Sequence, residues 1–316
     1  MKFGIGIHNC REGKDYQAGF TEPDDILDLA MFAEAAKFDS IWLDDHITPN
    51  QEQIERDSQT PSFLEPLVSM AQIAAVTKKI SIGMGILVLI WRDPVLAAKQ
   101  IATLDNFSKG RVILGVGLGG ARLEFEAVNP SFKTGHRGKI LDEQIEIMHS
   151  LFTQDDATYK GEYFQIDGLS FYPKPIQTPL PIYFTGSSIK TMERVAKWGQ
   201  GILLKPNVTE IRDAIESLKV VLENSGRDFS EIDIALSSTM TVARTHEEAL
   251  SLLNNARVSY RKDHIVGSPN EVIEQIQKLK EAGLTHFTAQ RFGASDYSQL
   301  REQVQMIAEE ILPAFK

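Results

Sequence analysis

Cysteine, long hydrophobic runs and basic residues are all scarce in this sequence of 316 residues. The single cysteine, Cys10, cannot form a disulfide within the chain. The longest apolar stretch, residues 86–91, is far too short to cross a bilayer, and the first residues lack the basic segment and apolar run of a secretory signal. These absences predict a cytoplasmic protein without a membrane partner.

Acidic side chains outnumber basic ones. The 43 Asp and Glu residues exceed the 33 Lys and Arg residues, and the formal net charge is −10. A negative chain repels the phosphate backbone of nucleic acids, and no dense stripe of Lys and Arg overrides that repulsion locally. We therefore expect no nucleic-acid partner. The remaining composition, 42% hydrophobic and 24% charged, is typical of a globular protein with a large core.

Short apolar runs alternate with segments of helical periodicity along the chain, as in the strand-helix-strand units of a parallel sheet. Helices are predicted over residues 24–36 and 94–107, the second opened by Pro94. Eight strands in strict alternation favour an α/β fold closed into a (β/α)8 TIM barrel, because an open sheet would leave two edges to protect. The predicted strands are residues 2–8, 40–44, 80–87, 112–116, 180–185, 201–204, 232–240 and 285–290.

The sequence predicts one domain over residues 1–316, since a barrel of this kind holds about 250 residues or more as a single unit. Two stretches interrupt the alternation and are predicted to be insertions after strands four and seven. Residues 154–178 are rich in Gly, Pro and aromatic residues and indicate a short hairpin around residues 159–164. The second insertion, residues 257–267, is expected near the mouth of the barrel.

The active site of such a barrel lies at the C-terminal ends of the strands, which directs attention to the polar residues just past each apolar run. His8 follows strand one, and Asp45 and His46 follow strand two. A carboxylate can fix the tautomer of an imidazole, so Asp45 and His46 are a candidate acid-base pair. A structural cap is the alternative for Asp45 and His46, and a buried structural histidine is the alternative for His8.

A metal-dependent hydrolase with His8, Asp45 and His46 as ligands is a rival interpretation from another enzyme class. Strand one lacks a His-x-His pair, and the chain has only seven histidines. The sequence therefore disfavours a metal site.

Two glycine-containing segments are candidates for ligand contact. Gly117, Leu118 and Gly119 belong to a run that lets a large group approach the backbone, but this run follows strand four and is not a dinucleotide fingerprint. Gly186, Ser187 and Ser188 lead into a helix predicted over residues 189–198, whose N-terminus can bind an anion such as phosphate. An ordinary serine cap is the alternative interpretation of this second segment.

Seven motifs occur in a definite order and spacing along nearly the whole chain. They are residues 38–46 (FDSIWLDDH), 82–87 (IGMGIL), 104–111 (LDNFSKGR), 115–120 (GVGLGG), 173–177 (PKPIQ), 186–188 (GSS) and 266–269 (VGSP). Together they resemble the motifs of the luciferase-like monooxygenase and coenzyme F420-dependent oxidoreductase superfamily.

This resemblance implies that a reduced flavin-type cofactor, FMN or coenzyme F420, binds at the C-terminal mouth. Its phosphate would lie near Ser187 and Ser188, with His46 beside its reactive ring and a non-prolyl cis peptide bond, Gly85-Ile86, supporting one ring face. The implied reaction on a small organic substrate is hydride transfer with coenzyme F420 or monooxygenation with reduced FMN and O2. A homodimer is also implied. The implied cofactor-binding residues are His8, Gly85, Ile86, Gly117, Leu118, Gly119, Gly186, Ser187 and Ser188.

Departures from the family pattern bear on the cofactor and the substrate. Leu118 stands where FMN enzymes often carry an arginine, and Asp45 precedes His46 where others have glutamate; both favour coenzyme F420. Sugar-phosphate dehydrogenases of this branch have a glutamate and a tryptophan where this chain has Gly120 and Asn50, so sugar-phosphate oxidation is not expected. Glu124 and Glu126 are predicted to be solvated. A non-catalytic flavin-binding barrel is the remaining alternative.

Overall fold

Eight short parallel strands close into a barrel in the computed structural model, which describes residues 1–57, 59–128, 134–258 and 263–316. The order around the barrel is β1, β2, β3, β4, β7, β8, β9 and β11, and β11 pairs again with β1. The predicted (β/α)8 barrel is confirmed. The barrel strands are β1 (Lys2–Gly6), β2 (Ser40–Leu43), β3 (Ser81–Met84), β4 (Val112–Val116), β7 (Ile182–Thr185), β8 (Gly201–Leu204), β9 (Asp233–Val242) and β11 (His286–Phe292).

Helices surround the barrel and bury their apolar faces against it. The two predicted helices are present as α1 and α4, and α7 covers the predicted residues 189–198. The α-helices within the described residues are α1 (Pro23–Ala35), α2 (Gln51–Arg56), α3 (Pro66–Val76), α4 (Pro94–Ser108), α5 (Arg122–Val128), α6 (Arg137–Thr153), α7 (Ile189–Trp198), α8 (Val208–Asn224), α9 (His246–Asn255), α10 (Pro269–Glu281) and α11 (Tyr297–Met306).

Both predicted insertions contain additional strands. Between β4 and β7 the chain forms an antiparallel hairpin of β5 (Asp156–Lys160) and β6 (Gln165–Ser170). After β9, a short strand β10 (Ile265–Gly267) pairs with the C-terminal end of β9 and is not one of the eight barrel strands. Residues 259–262 of the second predicted insertion lie outside the described residues.

The barrel interior is built around one large side chain that glycines accommodate. Trp42 of β2 is almost completely buried and packs with Tyr183 and other side chains of the barrel strands. A Cβ atom added to Gly83 would lie 2.6 Å from the Trp42 ring, so only glycine fits at this position of the neighbouring strand β3. The indole Nε1–H donates to Ser40 Oγ at 2.8 Å, which satisfies the one polar atom of the ring.

Within the described residues, none of the helices has the length and apolar character that spanning a bilayer requires. The apolar side chains instead form one large cluster between the strands and the surrounding helices.

Gly115 of β4 provides a test of this close packing. Its added Cβ would lie 2.0 Å from the backbone oxygen of Met84, whereas an added Cβ at Gly120 meets no atom within 4 Å. We expect Gly115→Ala to lower the free energy of unfolding by about 2 to 3 kcal/mol, since overpacking against backbone cannot relax cheaply. Gly120→Ala is the matched control and should change it by less than about 0.5 kcal/mol. Chemical denaturation followed by circular dichroism measures both, and equal effects would contradict this packing.

Candidate active site

Two cavities meet at the C-terminal mouth of the barrel, and the side chains of His46 and Glu124 line both. The inner cavity, of about 420 Å³, is bounded by the loops that follow β1, β2, β3 and β4 and by Thr185 at the end of β7. The outer cavity, of about 360 Å³, lies between the loop after β1, the segment from His46 to α2, and the start of α5. The predicted residues that line the inner cavity are Asp45, His46, Gly85, Ile86, Leu118 and Gly119.

Asp44 connects the end of β2 to the loop after β1. Arg11 donates through Nε to Asp44 Oδ2 at 2.7 Å and through Nη2 to Oδ1. The Asn9 side chain accepts from the Asp44 N–H and donates to the Asp44 carbonyl. Arg291 lies 3.9 Å away on the other side. Burial alone would raise the pKa of Asp44, but the two guanidinium groups lower it to about 2. The carboxylate is therefore charged at neutral pH.

Asp45 connects the same strand end to the loop after β3. Its Oδ2 accepts from the Val88 N–H at 2.9 Å and from Arg92 Nη1 at 2.6 Å, and its Oδ1 accepts from Arg92 Nη2 at 3.0 Å. Burial raises the pKa of Asp45, and the Arg92 guanidinium opposes that shift. Arg92 and Val88 thus bond to both oxygens, and within the described residues no hydrogen bond joins Asp45 to His46, so the expected pairing of these two side chains is not seen.

Glu124 of α5 takes the place that we expected for Asp45. His46 Nδ1 lies 3.2 Å from both Glu124 oxygens, and the Ile47 N–H donates to Oε1 at 2.8 Å. Glu124 is only 2% exposed, so the prediction of a solvated side chain is wrong. A carboxylate only accepts hydrogen bonds, so Nδ1 carries a proton in this contact. Among the described residues none bonds to Nε2 of His46, which leaves that atom available in neutral imidazole as an acceptor.

The geometry of the Gly85-Ile86 segment agrees with the resemblance. The peptide bond is cis, and Gln290 Nε2 donates to the Gly85 carbonyl at 3.0 Å. An added Cβ at Gly117 would lie 2.1 Å from Ile86 Cδ1, so Gly117 makes room for Ile86 and is not itself part of the cavity lining. Gly119 has a φ of +62°, and its added Cβ would lie 2.9 Å from Val88. Gly85, Gly119 and Gly120 therefore line part of the inner cavity without side chains.

His8 lies below the cavity in the barrel interior. The Tyr16 hydroxyl accepts from the Phe292 N–H at 2.9 Å and forms a hydrogen bond with His8 Nε2, also at 2.9 Å. Burial lowers the pKa of His8 to about 3, which keeps the ring neutral. The structure thus places His8 apart from Asp45 and His46. Among the described residues, no group of three or more His, Cys, Asp or Glu side chains is arranged to hold a metal ion.

The segment Gly186, Ser187 and Ser188 does not line the inner cavity, which Thr185 reaches instead. Ser188 Oγ caps α7 by accepting from the Thr191 N–H at 3.2 Å, as an ordinary serine cap does. Ser187 Oγ donates to Glu210 at 3.2 Å and lines a separate pocket that also contains Asp213. The structure therefore brings carboxylates, and no lysine or arginine, to the pocket beside Ser187 within the described residues.

A closed (β/α)8 barrel with a histidine beside a cavity at the C-terminal mouth has the architecture of a barrel enzyme. The model of the family described as luciferase-like monooxygenase matches residues 1–264. The chain belongs to the luciferase-like monooxygenase family.

Characterised relatives and solved structures align with almost all of this chain. An F420-dependent glucose-6-phosphate dehydrogenase of Kineococcus radiotolerans is 29% identical, covering 91% of this chain and 92% of the relative. The protein of the same name from Amycolatopsis mediterranei is 26% identical, covering 93% and 95%. The crystal structure of a monooxygenase from Streptomyces bottropensis has a TM-score of 0.83 at 21% identity over the full length of both chains, which shows the shared fold.

The buried Arg11–Asp44 ion pair predicts a pH-dependent effect of substitution. We expect Arg11→Met to destabilise the protein by about 3 to 5 kcal/mol at pH 7, because it leaves a buried charge without its partner. In the wild type the pKa of Asp44 is depressed, so its stabilising contribution is complete above the ordinary value of 3.8 and is lost as the pH falls towards about 2. In the variant Asp44 can take up a proton instead, so the difference in stability should shrink between pH 7 and pH 4.5.

The control for this prediction is the double variant Arg11→Met with Asp44→Leu, which removes both charges and should recover most of the lost stability. Urea denaturation at the two pH values measures all three proteins. A double variant as unstable as Arg11→Met would show that the ion pair does not cause the loss.

Proposed function

We propose that this chain is an oxidoreductase that binds coenzyme F420 or FMN in the inner cavity and transforms a small organic substrate there as a single catalytic domain. The observation that carries this proposal is His46, whose Nδ1 is held by Glu124 while Nε2 stays available beside the inner cavity. The family match and the cofactor named for the two dehydrogenase relatives support it.

The inner cavity suits a flat ring system. Gly119 and Gly120 contribute no side chains to the wall, and the Gly85 carbonyl is fixed by Gln290, so that part of the floor is rigid. Trp91 and Leu118 add apolar surface. When bound, coenzyme F420 supplies two-electron hydride transfer, and reduced FMN can also react with O2. The protein supplies position and proton transfer.

His46 is proposed to exchange the proton that accompanies this transfer. Oxidation of an alcohol removes a hydride from carbon and a proton from the hydroxyl, and Nε2 of neutral His46 is placed to accept that proton. The Glu124 carboxylate then stabilises the imidazolium through the contact with Nδ1 at 3.2 Å. Reduction of a carbonyl uses the same groups in the opposite direction. Asp45 acts indirectly, by accepting from the Val88 N–H and the Arg92 guanidinium and so holding the turn that borders the cavity.

We propose coenzyme F420 as the first candidate cofactor. Arg11 is the only lysine or arginine that lines the inner cavity among the described residues, and its Nε and Nη2 are already bonded to Asp44. Leu118 lines the inner cavity, and by the resemblance it stands where FMN enzymes often carry an arginine that pairs with the phosphate. Two relatives with near full-length alignment are named for dependence on F420.

Titration of the purified protein distinguishes the two cofactors. We expect coenzyme F420 to bind at least about tenfold more tightly than FMN, since the doubly charged terminal phosphate of FMN loses more affinity without a charge-assisted partner than the singly charged phosphodiester of coenzyme F420 does. Cofactor fluorescence during titration gives both dissociation constants. Tighter binding of FMN would overturn the choice of coenzyme F420 and favour monooxygenation.

Removal of His46 tests its assigned role. We expect His46→Ala to reduce kcat by at least about 100-fold, the usual contribution of a positioned proton donor, while the Kd of the cofactor changes little. His149→Ala, which removes an exposed histidine of α6, is the matched control. Single-turnover absorbance of the cofactor follows the chemical step. Unchanged turnover in His46→Ala would refute the role of His46. Tight binding of the oxidised cofactor by a wild-type protein that shows no turnover would favour a non-catalytic flavin-binding barrel.

A further inference from the structure

The outer cavity differs in charge from the rest of the protein. The whole chain has a net charge of −10. The outer cavity, by contrast, is lined by three cations, Lys14, Arg56 and Arg122, and by two carboxylates, Glu52 and Glu124. A concave surface that carries charge of one sign concentrates ions of the opposite sign. The outer cavity is therefore the part of the mouth that favours an anion.

Most of these charges already have partners, and Lys14 is the exception. Arg56 bonds to Glu52 at 2.8 Å, and Arg122 bonds to Glu126 outside the cavity. Both oxygens of Glu124 face His46 Nδ1, and one also accepts from the Ile47 N–H. None of the carboxylates in the described part of the chain forms an ion pair with Lys14, so a bound anion would not have to displace a protein partner there.

The chain fixes the position of Lys14 through a tight turn. Gly13 adopts a φ of +71°, and its N–H donates to the Tyr16 carbonyl at 2.7 Å. An added Cβ at Gly13 would lie 2.7 Å from Pro61 and 3.0 Å from Gln53 Cβ, so the turn is pressed against the segment that carries α2. Lys14 follows on this turn and borders the cavity. Its placement is thus set by backbone contacts on both sides.

Burial and the charges beneath the turn both act on Lys14. Partial removal from water lowers the pKa of Lys14, and the neighbouring Arg11 and Arg291 cations act in the same direction. Asp15 and Asp44 oppose these effects, but the net shift remains downward. An anion bound at Lys14 would stabilise the charged ammonium form that these surroundings disfavour.

We propose that the outer cavity binds the anionic group of the substrate at Lys14, while the reacting carbon lies beside His46. This inference rests on the proposed function, because His46 joins the outer cavity to the inner cavity proposed for the cofactor. Lys14 is then a specificity-determining residue, and the substrate class is a small organic molecule bearing a carboxylate or a phosphate. Phe63, which also lines the outer cavity, provides an apolar wall for the uncharged part of such a molecule.

The test measures anion binding to the full chain without cofactor. Inorganic phosphate and acetate are titrated separately at constant ionic strength in chloride, with isothermal calorimetry as the readout. We expect saturable binding of at least one of them, and the tighter of the two identifies the anionic group. Lys14→Met should weaken that binding at least tenfold, and Lys14→Arg should retain it within threefold because a cation remains.

Lys190→Met is the matched control, since Lys190 is a surface lysine of α7 that pairs with Glu193 and does not line the outer cavity. This variant should bind the anion as tightly as the wild type. Lack of saturable binding by both anions, or equal binding by Lys14→Met and the wild type, would overturn the anion site. Because no cofactor is present, these outcomes do not depend on the proposed function. Failure of both FMN and coenzyme F420 to bind would instead refute the proposed function and leave the anion measurement intact.

Discussion

The mouth of this barrel depends on three consecutive side chains that follow β2, each of which bonds to a different loop. Asp44 holds the loop after β1 through Arg11, Asp45 holds the loop after β3 through Val88 and Arg92, and His46 meets Glu124 in the segment after β4. Successive side chains of a chain leaving a strand point in different directions, which lets one short segment reach three neighbours. The position of His46 therefore depends on contacts made by the two residues before it.

This arrangement concentrates buried charge at the mouth, and the charges are balanced. Arg11 and Arg291 lie near Asp15 and Asp44, so two cations face two carboxylates. An unpaired charge here would cost several kcal/mol, whereas the complete set is tolerated because each member has a partner of opposite sign. The cluster lies beneath both the inner cavity and the turn that carries Lys14. It thus provides rigidity to the loops and also sets the potential that the proposed ligands meet.

The two cavities divide the proposed chemistry between them. Ile86, Trp91 and Leu118 give the inner cavity apolar surface that suits a flat ring, whereas Lys14 in the outer cavity suits an anionic substrate. His46 and Glu124 stand at the boundary, where a proton must move between substrate and protein. The sequence motifs led to the inner cavity, because Gly85, Ile86, Leu118 and Gly119 all lie in them. They did not reveal the outer cavity, because its residues come from loops without a common pattern.

The sequence by itself determined the barrel, its strand order along the chain, the hairpin insertion and the helices α1, α4 and α7. These features follow from short apolar runs, turn residues and a helical period of about 3.6 residues, which are local properties of the chain. Only the tertiary structure decided which carboxylate meets His46, because Glu124 lies 78 positions away and a short helix gives no signal of which residue it buries. Tertiary structure also decided that His8 points into the interior and that Ser187 faces Glu210. Contacts of this kind depend on where loops converge in space, and no local pattern of residue types records that convergence.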